Sequence, residues 1–123
     1  MATDTAPDFD LGPLSWVQNE IDQAIARVLE SLAAFRANPG DDAALKHART
    51  HVHQAAGAIQ MVGLDAVVAY TDELERQLAR LESLPRAEVD ATAGVVDRAC
   101  RKLRIFLDEL VKGVAPVPLK LFP

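Results

Sequence analysis

Apolar residues recur at intervals of three and four in four separate stretches of the chain, and no strict alternation of the kind that marks a strand competes with them. In the first stretch Leu14, Val17, Ile21, Ala24, Ile25, Val28, Leu32 and Phe35 share one helical face. This helix starts near Gly12 and Pro13, since proline suits a first helical turn, with Ser15 and Gln18 as a rival capping box, and it stops at Asn38, Pro39 and Gly40. The second helix opens with Asp41 or Asp42 as its cap and gathers Leu45, Ala48, Val52, Ala55, Ala56 and Ile59 in one arc about 100° wide. Gly63 ends it or kinks it. The third starts around Asp65 and buries Val67, Tyr70, Thr71, Leu74, Leu78 and Leu81, with Glu73, Arg76, Gln77 and Arg80 on its exposed side. Leu84 and Pro85 then turn the chain. The fourth runs from about Arg86 to Lys112 on Val89, Ala93, Val96, Cys100, Leu103, Leu107 and Leu110, a sustained packing seam. Amphipathic helices on short connections must lie antiparallel to their neighbours. The pattern predicts an all-α, antiparallel, up-and-down four-helix bundle.

The ends of the chain lack this periodicity. Residues 1–11, MATDTAPDFDL, are acidic and contain Pro7, and they read as a disordered N-terminal segment before a bundle spanning 12–112. Residues 113–123 are apolar and punctuated by proline, which cannot continue a helix, and they read as an extended tail or a linker.

Composition narrows the function. A chain of 123 residues suits one domain with its own core, and a half-hydrophobic composition with only one Trp, one Tyr and four Phe fits helices built on Leu, Val and Ala. The formal charge of −5 argues against nucleic acid as a partner, because phosphate backbones demand a basic surface. No apolar run approaches the length of a membrane span, and the first residues lack a leader pattern, so neither a membrane nor export is expected. A lone cysteine, Cys100, excludes an internal disulfide and is expected to face the core of a reduced, cytoplasmic, monomeric protein.

The chemistry gathers on the second helix, in the run His51 to Leu64, HVHQAAGAIQMVGL. Lys46, Arg49, His53, Gly57 and Gln60 form a second arc, centred about 110° from the buried one, so His53 stands on the wet border of the core stripe. A helical side chain leans towards the N-terminus, so a residue at 57 would lie over the His53 ring, and glycine leaves that ring clear. Such a glycine costs about 1 kcal/mol against alanine inside a helix, which asks for a reason such as access for a bulky partner.

His53, Gly57 four residues on and Gly63 ten residues on, followed by an acidic amphipathic helix with Glu75 at the twenty-second position, resemble the histidine phosphotransfer (HPt) domain family. The resemblance covers about residues 14 to 112. Family members usually read H-x-x-K-G, and here the lysine is replaced by Ala56. The opening run Leu14, Ser15, Trp16, Val17, with Glu20, Ile21 and Asp22, resembles the N-terminus of the hybrid chemotaxis kinases of the ChpA/PilL type.

The resemblance implies a phosphoryl group carried on His53 in a two-component, chemotaxis-type phosphorelay, with a receiver domain or a histidine kinase core as partner and no cofactor of its own. Glu75 would hold one ring nitrogen of His53 and leave the other as nucleophile, or be an ordinary exposed charge. Arg49 and Lys46 would supply the positive charge that Ala56 lacks, or belong to the solvated face. Gln60 and Met61 are candidate docking contacts, as is Lys46. His47 and His51 have a spacing that can chelate a metal, but no third ligand accompanies them, so no metal site is expected. No nucleophile–base pair or phosphate loop stands out elsewhere, which predicts a phosphocarrier rather than an enzyme. Ala56 keeps a second function open, a degenerate bundle of the same fold that binds or scaffolds a partner without being phosphorylated.

Overall fold

The computed structural model describes residues 11–112, with side chains from Val17 onward. The segment expected to be disordered, apart from Leu11, and the expected tail lie outside the described residues, as does the side chain of Leu14. The helices are α1 (Leu11–Ala37), α2 (Asp42–Met61), α3 (Asp65–Arg80) and α4 (Arg86–Val111), and no strand occurs among the described residues. α1 packs against α2 and α4, and α3 packs against the same two, while the backbones of the diagonal pairs stay apart. The result is a four-cornered antiparallel bundle in which chain neighbours are spatial neighbours.

Local signals explain the boundaries. Pro13 lies in the first turn of α1, where its missing N–H has no helical partner to lose, and Ser15 falls inside the helix rather than capping it. Between the two candidate caps of α2 it is Asp41 that acts, its carboxylate accepting from the Ala44 N–H at 3.0 Å. Gly63 ends α2 rather than kinking it. Its φ of +80° lies in the left-handed region, and its N–H closes on the Gln60 carbonyl at 3.1 Å. A Cβ there would meet no neighbour within 4 Å, so only backbone strain opposes a side chain. Gly63→Ala is therefore expected to lose about 1 kcal/mol of stability with the fold retained, read from the denaturation midpoint at an unchanged slope.

The apolar arcs meet in one core. Ile21, Val28, Leu32, Ile59, Leu78, Val96, Leu103 and Leu107 are completely buried, and every other position expected inside is buried except Val17 and Leu110, which are partly covered, and Leu14, which is not described. Gly94 and Ala99 are buried although the α4 seam did not include them, because α4 faces two neighbours and its covered arc is wider than one seam. Glu73 and Gln77 on α3 are half-buried rather than exposed. Gln77 and Arg76 both donate to the Glu73 carboxylate, at 2.8 and 2.6 Å, and these hydrogen bonds hold its pKa below the usual range.

Polar groups close the seams between helices. The Tyr70 hydroxyl donates to the Ala99 carbonyl at 2.9 Å, joining α3 to α4 inside the core. Arg36 meets Asp90 at 2.8 Å and Gln18 donates to Asp108 at 3.3 Å along the α1–α4 edge. Burial pushes the Cys100 thiol up to about 12, which leaves it protonated and unreactive at neutral pH. No helix among the described residues is long and apolar enough to cross a membrane.

Candidate functional site

The middle of α2 presents His53 to solvent, with 81% of its side chain exposed. The helix holds the backbone there through Val52 and Ala55, both buried, so the neighbouring histidine is turned outward without contributing to the core. Across the hairpin, Glu75 of α3 brings Oε1 to 3.0 Å from His53 Nδ1. A carboxylate can only accept, so the contact puts a ring proton on Nδ1, and in the neutral ring that leaves the lone pair on Nε2. A neutral imidazole held this way can act as a nucleophile oriented by a fixed partner.

The groove beside the ring is lined by Lys46, Arg49, Thr50, Gln54 and Glu75 together with His53. Arg49 donates to Glu82 Oε2 at 2.7 Å, so its charge is already matched by a carboxylate near the end of α3. Lys46 is exposed and has no ion-pair or hydrogen-bond partner among the described residues. Ala56, at the family's lysine position, is only 8% exposed, and by helical angle it faces α3.

Gly57 opens on the other flank of α2. It borders a second groove, between α1 and α2, shared with Val17, Ala24, Gln54, Ala58 and Met61. Met61 is 81% exposed there. Gln54 lines both grooves, and its Oε1 accepts from His51 Nδ1 at 2.9 Å. Gln60 is exposed and lines neither groove. His47 is exposed, His51 is half-buried, and no group of three His, Cys, Asp or Glu among the described residues could hold a metal.

A Cβ built on Gly57 meets nothing within 4 Å. Packing therefore does not require glycine at this position. Gly57→Leu is expected to raise stability by about 0.5–1 kcal/mol, from helix propensity alone, and to lower phosphoryl transfer from a partner by projecting a side chain beside the ring. Chemical denaturation and a transfer assay on one preparation check the two opposite signs together.

Thr50 and Gln54 were not singled out from the sequence, although their places one turn before and one residue after His53 put both on its flank. Glu82 was missed as well. The antiparallel register that sets 53 against 75 brings the start of α2 within a turn of the end of α3, and that register was the available signal.

A family model for the Hpt domain matches residues 14–113, and no curated protein and no solved structure matches the chain. Domains of this family are phosphocarriers that act in histidine phosphotransfer within phosphorelays. With the match covering the four helices and the exposed histidine on the second of them, the chain belongs to the Hpt domain family.

Proposed function

We propose that His53 accepts a phosphoryl group and passes it on, in exchange with a receiver domain or a histidine kinase core. The observation that carries this reading is the 3.0 Å contact from Glu75 to Nδ1 of a ring otherwise open to solvent, which leaves Nε2 as the reacting atom. In transfer from a receiver, the Nε2 lone pair attacks phosphorus, the bond from phosphorus to the aspartyl oxygen breaks, and the carboxylate leaves with its electron pair. The receiver supplies the metal ion and the catalytic groups, and the bundle supplies a presented nucleophile. Gly57 keeps one shoulder of the ring low for the partner, with Gln60 and Met61 as contacts. The resemblance of the opening run to chemotaxis kinases supports a chemotaxis-type relay in the cytoplasm, with residues 12–112 acting as a monomeric unit.

Ala56 favours a second reading, because no cation follows the histidine at the usual place: the bundle binds its partner without being phosphorylated. Incubation with a phosphorylated receiver or with a kinase core and ATP, followed by mapping of the modified residue, separates the two. Phosphate on His53 is the expected result. Binding of a cognate receiver without label would give the function to the second reading.

A further inference from the structure

A phosphoryl group on an exposed imidazole carries close to two negative charges, and the groove around His53 holds two cations to meet them. They are not equivalent. Arg49 is engaged by Glu82 at 2.7 Å, whereas Lys46 is unpaired among the described residues. Lys46 also has the better line. Seven residues of helix turn through almost two full circles, so Lys46 lies within about 20° of the His53 direction and about 10.5 Å back along the axis.

The lean of helical side chains decides which end of the ring the charge must come from. His53 tilts towards the N-terminus of α2, over the Arg49–Lys46 side and away from Ala56. Lys46 leans the same way from its own turn, but its flexible four-carbon stem can swing back along the groove that both residues line. A phosphoryl group on the ring would extend into that groove, where its oxygens can accept charge-assisted hydrogen bonds from an ammonium whose three donors rotate freely. Thr50 lines the same groove with a hydroxyl on the opposite flank.

We propose that Lys46 is the cation that binds the phosphoryl oxygens on phospho-His53, serving from the N-terminal side of the ring the need left open by Ala56. The inference rests on the reading of His53 as phosphoacceptor. It selects Lys46 over Arg49 for a charge that the sequence offered to both.

The test uses phosphoramidate as the donor, so that no partner protein contributes charge. The Nε2 lone pair attacks phosphorus, the P–N bond of phosphoramidate breaks, and ammonia leaves with the electron pair; the ring proton stays on Nδ1 against Glu75. Phosphorus NMR of the product reads the titration of the phosphoryl group, and mass mapping reads the site. A nearby cation favours the dianion, so Lys46→Gln is expected to raise the titration midpoint by about half a pH unit and to slow labelling about 3- to 10-fold. Lys46→Arg should keep both near wild type. Lys102→Gln, which removes an exposed charge from α4, should change neither. If the wild-type protein takes no phosphate on His53, the reading of that histidine fails. If His53 is labelled but Lys46→Gln leaves midpoint and rate unchanged, or Lys102→Gln shifts them equally, the reading stands and the assignment of Lys46 is overturned.

Discussion

His53→Gln is expected to remove acid-labile phosphate from the protein altogether, a loss of about 100-fold or more against wild type, while His51→Gln retains it. Glutamine is close to histidine in polarity and offers no basic nitrogen with a free lone pair. The change is made at a side chain that is 81% exposed and packs into nothing, so the fold should be unaffected. The two histidines differ in their partners rather than in their chemistry. His53 faces a carboxylate at 3.0 Å that fixes the proton on Nδ1, whereas His51 is half-buried and shares its Nδ1 with the neutral amide of Gln54 at 2.9 Å. The amide oxygen accepts from the same ring nitrogen but carries no charge, so it cannot stabilise an imidazolium as the Glu75 carboxylate does. Incubation with a phosphorylated receiver and mapping of the modified residue, with acid lability tested on a separate sample, decide the matter. Phosphate on His51, or retained on the His53→Gln variant, would sink the assignment.

Replacing Glu75 by glutamine should slow transfer about 10- to 100-fold, the range seen when the group that orients a reactive imidazole is removed. The carboxylate does two things that an amide cannot: it accepts without ambiguity from Nδ1, and its charge stabilises the imidazolium formed as phosphorus bonds to Nε2. Both act on the ring. Glu75 is partly exposed and contributes no apolar surface to the core, so stability should change by no more than about 0.5 kcal/mol. A quench-flow transfer assay and a denaturation curve on the same variant separate a slowed reaction from a loosened fold. An unchanged rate would make the Glu75 contact an incidental surface pair.

Helix existence, helix faces and most boundaries were legible without tertiary information, because a helix reports its own geometry in the spacing of its apolar residues. Leu45, Ala48, Val52, Ala55 and Ile59 are buried where the wheel put them, and His53 is outside where the same wheel put it. The caps were nearly as clear: two adjacent aspartates competed, and the hydrogen bond from Ala44 selects Asp41. Gly63 offered a stop or a kink, and its positive φ makes it a stop.

Contacts between helices were another matter. Whether Glu75 reaches His53, and whether Arg49 turns to the histidine or to Glu82, depends on the sliding register of α2 against α3. Periodicity leaves that register open, since sliding one helix along another by a turn keeps both apolar stripes facing inward. The side on which Gly57 opens is of the same kind. The wheel put it beside His53, and only the position of α1 makes its flank a groove distinct from the one at the ring. What the sequence determined by itself is therefore everything set within one helix: its span, its buried face and the exposed histidine. Only the tertiary structure decided which charge meets which ring, because that is set by the packing of side chains from different helices.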